Sequence, residues 1–132
     1  MFLRELSFQE KSMFLDLCIH VAQADNELAA AEKAMISEYC VEMQIPAIEV
    51  LETKPFRTVA DYFSLADERV KKIVVLEILG LAYSDGKYVP EEVEMIKKFT
   101  DIIGFSEEDY NKILLAIEEY YQVCYKLAEV IQ

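Results

Sequence analysis

Glycine and proline are scarce in this chain, with three of each in 132 residues, and tryptophan is absent. β-Sandwiches and β-barrels need many turns, and glycine and proline are common in turns. Their scarcity therefore disfavours an all-β fold. Basic residues are also few, 13 against 25 acidic ones, and the formal net charge is −12. Nucleic acids and anionic membrane surfaces both attract basic proteins. The composition therefore argues against a nucleic-acid partner and against an anionic membrane surface.

Cysteines and long apolar runs are limited as well. Cys18, Cys40 and Cys124 are odd in number and form no C-x-x-C pattern, so neither a disulfide framework nor a thiolate zinc site is indicated. The longest apolar stretch, residues 73–83, is interrupted by Glu77 and has about half the length of a membrane span. The first residues lack the apolar segment of a signal peptide. We expect a reduced, cytoplasmic protein without direct membrane insertion.

The apolar residues of this sequence recur mainly at helical spacing. The chain is 54% hydrophobic, which suffices for one domain with its own apolar core. A capping box of Ser7 and Glu10 opens the first helix, Thr58 is predicted to cap a short one, and Ser64 with Asp67 is predicted to open another. The prediction is an all-α fold, a single domain over residues 1–132 with about seven helices at 8–24, 30–43, 46–52, 58–63, 65–84, 90–103 and 107–131.

An internal repeat is the most informative feature of the sequence. Residues 14–46 align with residues 74–106 without a gap, at an offset of 60. The identical pairs are Ala22/Ala82, Asp25/Asp85, Glu32/Glu92, Met35/Met95 and Ile36/Ile96. Each copy reads as helix, acidic turn and helix. We therefore expect two repeated helical hairpins related by pseudo-twofold symmetry.

Each hairpin places an aspartate where its first helix ends and a glutamate seven residues later. If the twofold brings the two turns together, Asp25, Glu32, Asp85 and Glu92 share one neighbourhood. Several carboxylate oxygens are what calcium or magnesium prefers, so these four residues are the predicted metal ligands. The alternative is structural, since aspartates in turns and glutamates in first helical turns satisfy loose backbone N–H groups. Both interpretations remain open, and no organic cofactor is indicated.

The two turn segments, A-Q-A-D-N-E at 22–27 and A-Y-S-D-G-K-Y-V-P-E-E at 82–92, resemble the repeated signature of TerB-like domains, the helical domains of tellurite-resistance proteins. The first copy has Asn26 and Ala30 where the signature has glycine and proline. The resemblance implies an all-α fold of roughly seven helices, an acidic surface centred on Asp25, Glu32, Asp85 and Glu92, divalent-cation binding, a stress-response context with protein partners, and no catalytic activity.

An enzyme is not expected from the residues themselves. His20 is the only histidine, and its repeat partner is Gly80. Asp16 lies one turn before His20, but such a pair is more often a contact on one helix face than a catalytic dyad. No phosphate-binding loop, nucleophile elbow or metalloprotease helix is present. A metal-dependent hydrolase is a remote alternative, and a protein-interaction module with purely structural carboxylates is the nearer one.

The last helix carries an apolar stripe and several tyrosines. Tyr121, Cys124, Leu127 and Ile131 continue a stripe that begins with Ile113, Leu114 and Ile117, so most of the stripe is predicted to be core. Tyr120 is expected to lie off the stripe and to be half exposed. Exposed tyrosines favour a protein partner, but a tyrosine with a buried ring and a solvent-exposed hydroxyl is the more frequent arrangement. The sequence indicates neither the identity of a partner nor the oligomeric state.

Overall fold

In the computed structural model, residues 1–25, 30–46, 53–84, 86 and 89–132 are described. These residues form a short 3₁₀ turn, Leu3–Glu5, and six α-helices, and no strand occurs within these ranges. The helices are α1 (Phe8–Ala22), α2 (Ala30–Met43), α3 (Phe56–Ser64), α4 (Glu68–Ala82), α5 (Pro90–Ile102) and α6 (Glu107–Val130). None of the described helices is both long and apolar enough to cross a membrane. The all-α prediction is confirmed.

The helices pack around α4. This helix contacts α1, α2, α5 and α6, while α1 also contacts α2, α3 and α5. Most of α4 is buried, including apolar residues on every side of the helix, so it needs neighbours in several directions. The largest fully buried side chains of the domain include Phe14, Phe63 and Phe99, which come from α1, α3 and α5.

Several helix ends agree with the sequence prediction. The Ser7–Glu10 capping box is formed: the Ser7 hydroxyl accepts from the Glu10 N–H at 3.2 Å, and the Glu10 carboxylate accepts from the Ser7 N–H at 2.7 Å. Ser106 caps α6 in the same way by accepting from the Asp109 N–H. The starts of α1 and α4 are 60 residues apart, and so are the starts of α2 and α5. The pseudo-twofold relation itself stays a prediction.

Two predicted helix starts are wrong. Thr58 does not cap α3, because that helix already begins at Phe56 and Thr58 lies inside it. Ser64 does not open α4, which begins only at Glu68; Ser64 is the last residue of α3, and its hydroxyl donates to the Asp61 carbonyl at 2.6 Å. A serine can bond backward to a helical carbonyl as readily as forward to a first-turn N–H. The predicted helix 46–52 lies outside the described residues, apart from the non-helical Pro46.

Candidate functional site

The residues predicted to bind a metal lie in and beside the turns that follow α1 and α4. Asp25 is half-buried after α1, Glu32 lies in the first turn of α2, and Glu92 lies in the first turn of α5. Glu32 and Glu92 are only 5% and 2% exposed. A carboxylate loses its hydration on burial, so each of these charges depends on compensation from its surroundings.

The fourth predicted ligand, Asp85, lies outside the described residues. Across the part of the chain that is described, no three histidine, cysteine, aspartate or glutamate side chains come together as a group able to hold a metal ion. The structure thus places Asp25, Glu32 and Glu92 at the ends of their helices without uniting them into such a group. The centre of Asp25, Glu32, Asp85 and Glu92 stays a prediction.

A different pair of carboxylates, Glu42 and Glu77, holds the beginning of the chain. The Met1 ammonium group lies 2.7 Å from Glu77 Oε1 and 3.0 Å from Glu42 Oε1. The Phe2 N–H donates to Glu77 Oε1 and the Leu3 N–H donates to Glu42 Oε2, each at 2.9 Å. Glu77 is 3% exposed, and these donors compensate a charge that lies in the middle of α4. The fully buried Leu3 side chain adds an apolar anchor.

A cavity of about 150 Å³ adjoins this contact and is lined by residues of α2, α4 and α6. The Tyr39 hydroxyl donates to the Glu77 carbonyl at 2.9 Å, and the Tyr121 hydroxyl donates to the Gly80 carbonyl at 2.5 Å. Burial raises the pKa of both phenols, which keeps them protonated as donors. Sequence reasoning missed this arrangement because its residues come from distant segments, and the only signal was Glu77 within the longest apolar run.

A second cavity, of about 330 Å³, is lined by Phe2, Ile73, Leu76 and Ile113 together with Arg69 and Lys72. Arg69 is held by two hydrogen bonds to Glu5, at 2.8 and 2.9 Å. The cavity is therefore an apolar depression in which one of the two cations already has a partner.

The groups considered for catalysis have structural contacts. His20 Nε2 lies 2.6 Å from the Lys54 carbonyl oxygen, and Asp16 lies 3.5 Å from Lys54 Nζ, so both side chains contact Lys54. Cys18 and Cys40 are buried, and burial raises the pKa of the Cys18 thiol well above its usual value. A raised thiol pKa disfavours the thiolate, which is the nucleophilic form.

One side of α6 packs on the rest of the domain along much of the helix. Tyr110 and Ile117 are buried, and Tyr121 reaches the α4 backbone as described above. The Tyr125 hydroxyl approaches Gly86 so closely that a Cβ at this glycine would lie 2.7 Å from it. The domain thus contacts this side of α6 as far as Tyr125, whose side chain is still 51% exposed.

A second side of α6 is apolar and uncovered, and we call it the free face. It comprises Tyr120, Val123, Cys124, Leu127 and Val130, with Ile131 at the C-terminal cap. At 100° per residue these positions fall within a sector of about 120°, whereas Glu118, Gln122, Lys126 and Glu129 lie outside it. Five of its six side chains, all except the half-buried Cys124, are between 43% and 85% exposed.

The prediction that the stripe of Tyr121, Cys124, Leu127 and Ile131 is core is therefore wrong for its last two members. Leu127 is 61% and Ile131 85% exposed, while Tyr121 and Cys124 are half-buried. Periodicity identified an apolar side of the helix correctly, but it could not indicate whether another element covers that side. Tyr120 is 43% exposed, as expected from the sequence.

The contact between Met1 and the two carboxylates predicts a pH dependence of stability. Burial alone would lower the pKa of the Met1 amine, but the hydrogen bonds to Glu77 and Glu42 and their negative charges outweigh it, so the pKa is raised above the ordinary value of 8.0. A raised folded-state pKa contributes stability that is complete below pH 8 and is lost as the pH rises through the folded value. In a chain that starts with a free Met1 amine, urea unfolding should therefore show a decline above pH 8.

The matched variants for this prediction are Glu42→Gln and Glu38→Gln, one helical turn apart on α2. Glu42 accepts from the ammonium group, whereas Glu38 lines the neighbouring cavity. Glu42→Gln should flatten the decline above pH 8, and Glu38→Gln should leave it unchanged. Equal declines in all three proteins would show that the contact of the Met1 amine with Glu42 contributes nothing to it.

No family model matches this chain, and comparisons with curated proteins and with solved structures found no significant match.

Proposed function

We propose that this chain is a non-enzymatic binding module that binds a protein partner through the free face of α6. The observation that carries the proposal is the exposure of Tyr120, Val123, Leu127, Val130 and Ile131 on one side of a helix whose neighbouring side packs on the domain. Soluble proteins rarely leave a contiguous row of large apolar side chains in water, and such rows mark interaction sites.

The composition of the free face fits a protein interface. Its six residues carry no charge, and the centres of protein interfaces are depleted of charged residues. Tyr120 adds a large, amphipathic surface that loses little conformational entropy on binding. A membrane is a poorer fit, because interfacial membrane helices surround their apolar face with lysine and arginine, and α6 has only Lys112 and Lys126.

The resemblance to TerB-like domains supports a binding role without catalysis, in a cytoplasmic stress-response context. Two structural features favour two related hairpins with pseudo-twofold symmetry. The first is the 60-residue spacing of the helix starts. The second is a left-handed residue after each second helix, Gln44 with φ 59° and Gly104 with φ 69°. A seventh helix within residues 47–52 belongs to the same proposal.

A second candidate function is binding of a divalent cation, calcium or magnesium, at Asp25, Glu32, Asp85 and Glu92. The burial of Glu32 and Glu92, at equivalent positions of the repeat, is the observation in its favour. Both lie in the first turn of the helix that follows an acidic turn, and carboxylate oxygens are the ligands that calcium and magnesium prefer. No observation favours the metal-dependent hydrolase.

Leu127→Gln tests the first function against the matched control Leu115→Gln. Both leucines are exposed on α6, 61% and 57%, but Leu115 lies on the charged side of the helix. Removing an anchor from the centre of an interface costs at least about 1.4 kcal/mol, which is about tenfold in affinity. In pull-downs from source-cell extract, we expect Leu127→Gln to reduce capture of a specific partner about tenfold and Leu115→Gln to leave it unchanged.

Both variants should melt at the temperature of the original chain, because neither leucine is buried. Capture that is insensitive to Leu127→Gln, or equally reduced by both variants, would contradict the proposal that the free face binds a protein.

Thermal melting of EDTA-treated protein tests the second function. A cation that binds only the folded state adds about 2.7 kcal/mol at about one hundred times its dissociation constant, which is several degrees for a chain of this size. Glu92→Gln should abolish a saturable rise with calcium or magnesium, whereas Glu91→Gln, an exposed neighbour, should not. A melting temperature that does not respond to either ion would rule out the cation site.

A further inference from the structure

We propose that the partner of the free face is a second copy of this chain, bound by antiparallel pairing of two α6 helices about a twofold axis. The proposal rests on the proposed protein-binding function, since it names the occupant of the same surface. Four observations carry it: the spacing of the apolar residues, the charge of the C-terminal part of α6, the position of the domain relative to the free face, and the available area.

The apolar residues of α6 follow the spacing of helices that pack along another helix. Steps of four and three residues alternate through Ile113, Ile117, Tyr120, Cys124, Leu127 and Ile131. This is the heptad seam of a helix pair. The domain buries Ile117, near the beginning of the seam, but Leu127 and Ile131 are exposed and extend the seam beyond the part that the domain covers. A second α6 is a partner that supplies the same seam.

The residues that flank the seam are small or apolar. In the heptad register set by Tyr120 and Leu127, the flanking positions hold Ala116, Val123 and Val130 on one side and Leu114, Tyr121 and Ala128 on the side toward the domain. Charged residues at these positions normally select a partner of opposite charge, and none is present. A self-complementary, uncharged surface suits a twofold interface, in which both copies contribute the same residues.

The C-terminal part of α6 is neutral in a strongly acidic chain. Residues 120–132 contain one base, Lys126, and one acid, Glu129, whereas the whole chain has a net charge of −12. Two copies that meet at this segment therefore bring together no excess charge at the point of contact. A basic partner would find no carboxylate on the free face itself.

The arrangement of the domain limits the repulsion between two copies. Each domain packs against a side of its α6 that is about 120° around the helix from the free face, through Ile117, Tyr121 and Tyr125, so neither acidic body lies between the paired helices. Charges of the two bodies that are farther apart than the Debye length, about 8 Å at physiological salt, are largely screened from each other. Antiparallel pairing separates them further, because the bodies then lie toward opposite ends of the pair.

The exposed area is sufficient for a dimer of moderate affinity. A large apolar side chain buries on the order of 100 Å², so six from each copy bury on the order of 1,200 Å² in total. This is the lower end of the range for stable interfaces. We therefore expect dissociation in the micromolar range.

Analytical ultracentrifugation of the full chain over about 1 to about 200 µM tests the pairing. The original chain should approach twice its 15.3 kDa mass as the concentration rises. Leu127→Gln should raise the dimer dissociation constant at least about tenfold, because the twofold axis places both copies of the substitution in the interface. Leu115→Gln should change it by less than about twofold, since Leu115 lies outside the free face.

A monomeric mass at every concentration would overturn the pairing, as would a dimer unaffected by Leu127→Gln. If the chain is monomeric but captures a partner in a Leu127-dependent manner, the second copy is wrong and the protein-binding function stands. If neither dimerisation nor Leu127-dependent capture occurs, both proposals are wrong.

Crosslinking through Cys124 tests where along α6 the two helices are paired. Cys124 is half-buried on the free face, whereas Cys18 and Cys40 are buried in the domain. In a pair centred between Cys124 and Leu127, the two Cys124 thiols lie within reach of a short bismaleimide, which should yield a covalent dimer that Cys124→Ala abolishes. A dimer in the ultracentrifuge that gives no Cys124-dependent crosslink would overturn the pairing centred between Cys124 and Leu127.

Discussion

The covering of α4 is the constraint on which the rest of this structure depends. Apolar residues such as Val75, Ile78 and Leu81 are buried on different sides of this helix, so it is stable only when neighbours surround it. The helices α1, α2, α5 and α6 supply that cover. The one acid in the middle of α4, Glu77, is accommodated because the first residues of the chain bring an ammonium group and an amide N–H to its carboxylate.

The role of α6 follows from this arrangement. It completes the cover of α4 with one side, through Ile117 and the Tyr121 hydroxyl, and it leaves a second apolar side in water. The free face itself carries no charged residue, so another chain can approach it without meeting a carboxylate there. Binding through α6 therefore adds to the fold without disturbing the packing that holds α4.

Local patterns in the sequence predicted local structure well and tertiary environment poorly. The Ser7–Glu10 box and the Ser106 cap were predictable because their partners lie three residues away. The prediction that Ser64 opens α4 was wrong because its hydroxyl donates to a carbonyl of the preceding turn within α3. The prediction that Leu127 is a core residue was wrong because helical periodicity identifies an apolar side of a helix but not whether another helix covers that side. The contact between Met1 and Glu77 spans 76 residues and leaves no local pattern. Of the predicted carboxylates, only the placement of Asp25, Glu32 and Glu92 at helix ends was accessible from spacing.

The central claim is that the free face of α6 is where this chain meets its partner, a second copy. Hydrogen–deuterium exchange of the chain, measured at concentrations well below and well above the dimer dissociation constant, tests that claim most directly. The account predicts that the segment from Tyr120 to Ile131 exchanges more slowly at the higher concentration, while the amides of α1 and α4 exchange at the same rate at both. Exchange of that segment independent of concentration, or slowing confined to another helix, would contradict it.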